Sequence, residues 1–442
     1  MLFNPHKLGI HKLLQFVPIN RLLDRKYQNL VARCVNISDL RNVAKLRAHK
    51  MVFDYLDGGA DDEISLRRNK DAYNEYELHF KVLAGNQPSD IDLSTTLFGS
   101  KVDIPFFGCP TAGNKMFHCL GEEAAATAAN EYGAALCLSS LSTTSFHDIV
   151  RLHNKPHLPK VFQLYVWKDR ALVGDIIQEA KNNGFTGLVL TVDVTWMGNR
   201  ERDSRNGFSV PPNYSMQQTI EALKRPAWTY DFLSNKPYTY ACFNPKNSNE
   251  EIPAESMASF INSQITPDFS WNDAEWLLGE WAGVGNVAIK GVVRPEDAIR
   301  AVQVGFDTIW ISNHGGRQLE TSPATINVLP SIREAIPSDT DIIIDGGIQR
   351  GIDIVKAIAM GANGVGVGRP YLWGLTAGGT NGVLKTYNIL KTELERAMGL
   401  LGTPTIDKLR DEGLGLIRQR APSSRDYPDR HASERGYGGG II

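Results

Sequence analysis

Cysteine is scarce in this chain, and what there is does not form a pattern. The five residues, Cys34, Cys109, Cys119, Cys137 and Cys242, are odd in number and lack metal-ligand spacing. That excludes a disulfide framework and gives no reason to expect a bound metal. Cys109 and Cys137 sit in apolar runs, where a reduced core thiol is the expected state, which suits a reducing, cytoplasmic setting. An excess of either charge is also missing: 47 basic against 49 acidic side chains leave a net charge of -2, so no nucleic-acid partner is expected. No apolar run approaches the ~18 residues of a membrane-spanning helix, and the N-terminus lacks the apolar core of a signal peptide. What remains is an ordinary globular composition, 42% hydrophobic and 22% charged over 442 residues. That length suits one large domain with additions, or two or three smaller ones.

Short apolar strands alternate with helical patterns through most of the chain. The strands read at 104–109, 135–139, 161–165, 187–193, 286–290, 308–312, 341–345 and 364–368. Between them lie helices such as 122–131, 171–182, 295–304 and 352–360. Arg294-Pro295-Glu296-Asp297 opens one of these with proline in the first turn and acids at its positive end. Eight strands each followed by a helix predict an α/β fold, a parallel eightfold β/α (TIM) barrel. An open doubly wound sheet is the alternative, but it does not explain where the polar residues fall.

They fall at the C-terminal ends of the strands. In order these are Thr111, Ser139 with Ser140, Gln163 with Tyr165, Thr191 with Asp193, Lys290, Ser312 with His314, Asp345 with Gly347, and Gly368 with Arg369. A barrel gathers all eight ends at one mouth, where its chemistry sits. The richest end is Ser312-Asn313-His314-Gly315-Gly316-Arg317-Gln318. His314 supplies a base that works near neutral pH, Arg317 a fork for a carboxylate, and the glycines leave room for a flat cofactor or small substrate. Asp345-Gly346-Gly347 and Gly364-Val365-Gly366-Val367-Gly368-Arg369-Pro370 read as a phosphate site, with backbone N–H groups and one guanidinium to close on the anion. Lys290 admits several fates: reaching solvent, forming a Schiff base, or standing as a fixed charge beside a flavin that becomes anionic on reduction.

Taken together, Met51-Val52-Phe53-Asp54-Tyr55-Leu56-Asp57-Gly58-Gly59-Ala60, Phe162-Gln163-Leu164-Tyr165, Leu190-Thr191-Val192-Asp193, Ile289-Lys290-Gly291, the His314 heptad, Asp345-Gly346-Gly347 and Gly368-Arg369-Pro370 resemble the FMN-dependent L-2-hydroxy acid oxidases and dehydrogenases. The resemblance runs from about Met51 to about Met398. It implies that His314 is the catalytic base, oriented and made more basic by Asp193. Arg317 and Arg200 would bind the substrate carboxylate with the Tyr55 hydroxyl, and Tyr165 would bond the reacting end. Lys290 would sit by the flavin's pyrimidine edge, with Gln163, Thr191 and Ser139 on the ring system. Ser312 would approach the sugar chain, and Gly347, Gly368 and Arg369 would hold the phosphate. Thr111, Ala112 and Asp345 complete the implied cofactor set. The implied reaction removes two electrons and a proton from an L-2-hydroxy acid to give the 2-keto acid. Reduced FMN then passes its electrons to a quinone, a cytochrome or oxygen. No haem-binding segment is present in the sequence, so a cytochrome or quinone is expected to be a separate molecule. A homotetramer is the implied assembly.

Some positions depart from the family pattern. Gln349 stands where the first arginine of Asp-Gly-Gly-X-Arg-Arg-Gly is usual, leaving Arg350 and removing one charge expected near the FMN. Leu141 stands where short-chain oxidases often carry tryptophan, which predicts room for lactate or a larger acid. Asn199 precedes Arg200 where some members have a second arginine. Three segments surround the barrel, which is set at 49–420. A basic N-terminal extension, 1–48, carries Lys7, Lys12, Arg21, Arg25, Lys26 and Arg33 among apolar residues. It reads equally as an arm for an anionic membrane surface, a contact with a neighbouring subunit, or a cleaved targeting sequence, so a mitochondrial address stays open. An insertion after the fourth strand, 210–267, holds Trp228, Tyr230, Phe232, Tyr238, Tyr240 and Phe243, and looks most like the segment that docks membrane-associated relatives on the bilayer. A lid or an oligomer contact is the other reading. The tail, 421–442, reads as an extended arm or disorder. Two further function classes compete: an isomerase or nucleotide dehydrogenase on the same barrel, and a non-catalytic flavoprotein. The first does not need His314 with Arg317, and the second is expected to have lost one of them.

Overall fold

Short, mostly apolar runs only three to seven residues long form strands when both faces can be buried, and that is what happens here. The computed structural model describes residues 19–165, 167–208, 216–243 and 268–420. The barrel strands are β1 Phe106–Gly108, β2 Leu136–Ser139, β3 Lys160–Leu164, β4 Gly187–Thr191, β5 Asn286–Val292, β6 Thr308–Ile311, β7 Asp341–Ile344 and β8 Gly364–Val367. Each matches an expected strand to within a few residues. All seven ladders are parallel, in the order β1-β8-β7-β6-β5-β4-β3-β2. Pairing of the first strand with the last curls the sheet into a barrel and rules out the open doubly wound alternative.

The helices form where the sequence signals place them. Pro295–Val304 starts with proline in its first turn, carries Glu296 and Asp297 at its positive end, and stops at Gly305, whose φ of 114° a glycine adopts without strain. Its buried stripe is Ala298 and Ala301, small enough to let the helix lie close on β5 and β6. Gly351–Ala359 is apolar on nearly all sides and is buried through most of its length. The last barrel helix, Arg369–Leu401, is broken at Gly378 and Gly379, and the helices Ile19–Arg33 and Ile37–Arg47 pack against it. The described part of the N-terminal extension is therefore bound to the barrel through Tyr27, Val31, Ile37 and Leu40, all buried. Lys7 and Lys12 lie outside the described residues, and the side chain of Arg21 is likewise not described.

Register puts the polar strand ends side by side. Ser139 on β2 stands opposite Gln163 on β3, and Thr191 on β4 opposite Lys290 on β5. Gly291 then shifts the register between β5 and β6, with a φ of 112° and no room for a side chain because Asp193 Cβ lies 2.8 Å from where its own Cβ would be. The β5 bulge thus holds Asp193 against the strand end that carries Lys290.

Among the described aromatics of the insertion, Trp228 is buried and donates its indole N–H to Met116 O at 3.0 Å, and Phe232 stacks on Trp228 at 4.9 Å. A buried tryptophan usually needs a partner for its N–H, and here it has one. Exposed apolar residues include Trp196 (77% exposed) and Met197 (54%) in the loop after β4 and, within the insertion, Met216, Ile220 and Leu223 on one face of the helix Met216–Leu223. Among the described residues no helix is long and apolar enough to cross a membrane.

Candidate active site

The strand ends surround one cavity of about 780 Å³. That size suits a cofactor-plus-substrate site rather than a packing defect. Of the expected site residues, Tyr55, Thr111, Ala112, Gln163, Tyr165, Thr191, Arg200, Lys290, His314, Arg317, Asp345, Gly347, Gly368 and Arg369 line it. Ser139, Asp193 and Ser312 stand one layer behind and hold residues that do: Ser139 Oγ donates to Gln163 Oε1 at 3.0 Å, and Gln163 Nε2 donates to Thr191 Oγ1 at 2.9 Å.

His314 occupies the left-handed region, φ 56°, followed by Gly315 at 67° and Gly316 at 72°. A non-glycine residue held there carries roughly 1–3 kcal/mol of strain, so its surroundings must fix it. Ser312 Oγ accepts the His314 N–H at 3.0 Å, and Asp193 Oδ1 meets His314 Nδ1 at 2.9 Å. The glycines answer a need that the sequence does not reveal. A Cβ on Gly315 would lie 2.7 Å from the Arg369 guanidinium, and one on Gly316 2.5 Å from Leu66 N. They admit an arginine and a helix, in addition to leaving the cavity open.

Burial and Asp193 act on the imidazole in opposite directions. Burial pushes the His314 imidazole below its ordinary pKa, and Asp193 pulls it back only in part, so the net shift is downward. The Asp193 carboxyl, which burial alone would raise, is held below its ordinary range by His314 and Lys290. Asp193 makes the base stronger than burial alone would leave it, yet His314 remains neutral and ready to accept a proton at pH 7.

Two guanidiniums face the same space. Arg317 Nη1 donates to Tyr55 O at 2.6 Å and lies 4.8 Å over the Tyr55 ring. Burial and the neighbouring Arg200 lower its pKa to about 10. Arg200 reaches Gln318 Oε1 at 3.4 Å, and its buried Nε has no partner. Two guanidiniums at one cavity, one with a buried unpaired donor, offer the charge and N–H groups that an anion needs. Gln318 ties the two loops together, donating to Asp193 O and Trp196 O at 2.8 Å each. Tyr165 is pushed up to about 12 by burial, so it stays a hydroxyl donor.

At the far corner, Gly347, Gln349, Gly368 and Arg369 face the cavity. Gly368 opens on free space, with no atom closer than 3.9 Å to a Cβ placed there. Arg369 donates to Leu56 O, Gly58 O and Gly315 O at 2.7–3.2 Å, and burial lowers its pKa to about 9. Arg350 turns away to pair with Glu393 at 2.9 Å. Neither Gln349 nor Arg350 brings a charge to this corner. Lys290 Nζ donates to Ser312 Oγ at 2.9 Å and pairs with Asp345 Oδ2 at 3.2 Å, so it is fixed inside and does not reach solvent.

Some functional neighbours were not foreseen. Glu320 accepts the N–H groups of Ile64 and Ser65, both at 2.8 Å, which fastens the helix Ile64–Asp71 over the site and lowers the Glu320 pKa to about 2. Arg202 links Asp57 and Glu63 beneath the Tyr55 helix, Lys50–Asp57. Behind the insertion, His118, Cys119 and Asp231 bring ligand-type atoms within 4.8 Å of one another, but buried Arg47 donates to Asp231 at 3.2 Å. A guanidinium already supplies the counter-charge there, so we read the cluster as an ion pair that pins the helix Pro226–Ser234 to the barrel.

Comparison with known proteins agrees with this geometry. The sequence profile of the FMN-dependent dehydrogenases matches residues 44–415. The chain is 36% identical over 384 residues to the 2-hydroxyacid oxidase of Dictyostelium discoideum, covering 87% of this chain and 91% of that one. It is 36% identical over 373 residues to the L-lactate oxidase of a Nostoc species, covering 83% and 94%. The crystal structure of the monotopic membrane protein (S)-mandelate dehydrogenase superposes with a TM-score of 0.81 at 32% identity, over 88% of this chain and all (100%) of that one.

Proposed function

The chain belongs to the FMN-dependent dehydrogenase family, and from that premise we propose that it oxidises an L-2-hydroxy acid of lactate size or larger to the 2-keto acid, with His314 as base and Arg317 and Arg200 as the carboxylate clamp. It is an FMN-dependent oxidoreductase. FMN, when bound, supplies the two-electron acceptor. The cavity suits that group: Gly347 and Gly368 turn backbone toward one corner beside Arg369, and Lys290 stands buried at the other side.

The observation that carries the reading is the convergence of a neutral, carboxylate-oriented imidazole and two guanidiniums, one with a buried unpaired Nε, on one cavity. The guanidiniums fix the carboxylate of the substrate and so set which bond faces His314. Asp193 holds the proton on Nδ1, which leaves Nε2 free to accept one from the substrate. Leu141 lines the cavity, and a leucine there leaves space for a side chain longer than that of glycolate. Isomerase and nucleotide-dehydrogenase readings leave the clamp without a purpose.

The electron acceptor is a quinone, a cytochrome or oxygen. A quinone acceptor is supported by the exposed pair Trp196 and Met197, since Met197 also lines the cavity and so lies beside its mouth. Such a pair settles on a bilayer without crossing it. Assays of purified protein with L-lactate, L-mandelate and longer 2-hydroxy acids, with and without air, test the whole reading. Flavin bleaching by the acids but not by their amides supports it. Failure of every 2-hydroxy acid to bleach the flavin refutes it, and rapid peroxide formation in air assigns oxygen as acceptor. A homotetramer is the assembly to test by light scattering.

A further inference from the structure

The buried charge at the flavin side of the cavity is not Lys290 alone. Asp345 Oδ2 lies 3.2 Å from Lys290 Nζ and accepts the Trp310 indole N–H at 3.0 Å, while Oδ1 accepts the Ser312 hydroxyl at 2.8 Å. Cys109 Sγ closes the remaining side at 3.9 Å. Ser312 Oγ also receives Lys290 Nζ and the His314 N–H, so one hydroxyl joins the lysine, the carboxylate and the loop of the base. Lys290, Ser312, Trp310 and Asp345 are all buried, with at most 6% exposure. Donors converge on both oxygens of Asp345, which is the environment of an ionised carboxylate, an acceptor only. Lys290 therefore meets the cavity as half of an ion pair, and its field is partly cancelled before it reaches anything bound there.

We propose that Asp345 sets the reduction potential of the bound FMN by holding down the positive field of Lys290, making it a positioning residue for the flavin's electronics rather than only part of the cofactor cradle. The proposal rests on FMN binding in this cavity and not on the roles of His314 or Arg317. A positive charge near the flavin stabilises its reduced, anionic form and raises the potential. The Asp345 charge opposes this, so its presence keeps the potential lower and leaves the reduced flavin readier to give up electrons. At this range, buried charges act through an effective dielectric of about 20, where a single charge matters far more than in water.

The test is the midpoint potential of the holoenzyme, by dye-coupled reduction, with the dissociation constant for sulfite, whose adduct with the flavin is also anionic. Asp345→Asn keeps the shape and removes the charge. The expected result is about tenfold stabilisation of the reduced form, or roughly 30 mV upward for the two-electron couple. Sulfite binding should tighten by a similar factor. Trp310→Phe removes a dipole whose positive end faces the same carboxylate, so both quantities should move a smaller distance the opposite way. An Asp345→Asn potential that is unchanged or lower overturns the proposal. If that variant does not retain FMN, Trp310→Phe decides alone, and an upward shift or none overturns it. Bleaching of the wild type by 2-hydroxy acids is a separate readout, so the proposed function and this inference fail independently.

Discussion

Replacing Asp193 with asparagine tests the centre of the site most sharply. Asp193 Oδ1 lies 2.9 Å from His314 Nδ1, and Oδ2 is buried without a hydrogen-bond partner. The carboxylate is thus committed to the imidazole. The substituted side chain would have the same shape but no charge, and its amide can offer Nδ1 either an acceptor or a donor. Two losses combine: the tautomer that presents a bare Nε2 is no longer enforced, and the imidazolium formed on proton uptake loses its counter-charge. General-base catalysis is worth roughly 10²–10⁴-fold, and most of it depends on this orientation. We expect Asp193→Asn to slow the reductive half-reaction about 10³-fold, or ~4 kcal/mol at the transition state. The assay is anaerobic stopped-flow bleaching of the flavin with saturating L-lactate or L-mandelate, at wild-type FMN content. The pH profile supplies a second readout. His314 already lies below its ordinary pKa through burial, with Asp193 opposing that shift, so removing the carboxylate lowers it further. The acid limb of kcat/KM, set by loss of the neutral base as pH falls, should move to lower pH. A variant that bleaches within about threefold of wild type, or whose acid limb moves upward, refutes the assignment.

Other perturbations separate the remaining roles. His314→Ala should keep FMN and lose roughly 10²–10⁴-fold in bleaching rate, and near wild-type bleaching would remove it as the base. Arg317→Lys should raise KM and lower turnover, because an ammonium cannot reproduce the fork that spans from Tyr55 O toward the cavity; equal oxidation of 2-hydroxy acids and their neutral amides would count against the clamp. Leu141→Trp should shift preference toward the smallest substrates, by about 1–3 kcal/mol per methylene-scale change, and unchanged relative kcat/KM for glycolate and mandelate would contradict the pocket reading. Glu320→Gln should lower thermal stability near neutral pH. Its depressed pKa means that the contribution is full above the ordinary 4.5 and is lost as pH falls through about 2, so a wild-type-to-variant gap that widens on acidification contradicts the capping role. Full-length protein should co-sediment with anionic vesicles at low salt, and Trp196→Ser should weaken this without loss of bleaching; binding unaffected by the substitution would move the contact away from the loop after β4.

The barrel was legible because its evidence is local. A strand buried on both faces is a short apolar run, and its polar end marks the mouth; β5 and β6 were each readable from a handful of neighbouring residues. The cavity's lining followed, since a barrel brings strand ends together whatever their distance in sequence. What stayed hidden depends on pairings that no periodicity records. Glu320 caps a helix 256 residues earlier, and Arg350 is drawn off by Glu393, 43 residues on. Counting arginines along the chain suggested that Arg350 would remain at the phosphate corner, whereas the ion pair removes it. Composition also cannot sort the insertion's aromatics: they suit a bilayer interface and a protein interior equally well, and Trp228 is inside, where Met116 O accepts its N–H.

The sign of the shift on His314 shows the same limit in energetic form. The resemblance implies that Asp193 makes His314 more basic, and Asp193 does raise it, but the depth of burial that opposes it is not visible in sequence. In the folded chain burial is the larger cause, and Asp193 offsets part of it. The outcome suits the proposed chemistry better than the simple pairing would. An imidazole made strongly basic would already carry its proton at pH 7 and could not accept another. One lowered by burial alone would bind the proton too weakly to draw it from a hydroxyl. Opposing the two places a neutral base where proton uptake is still favourable, and the same balancing recurs at Lys290, whose charge is kept by Asp345 and limited by it.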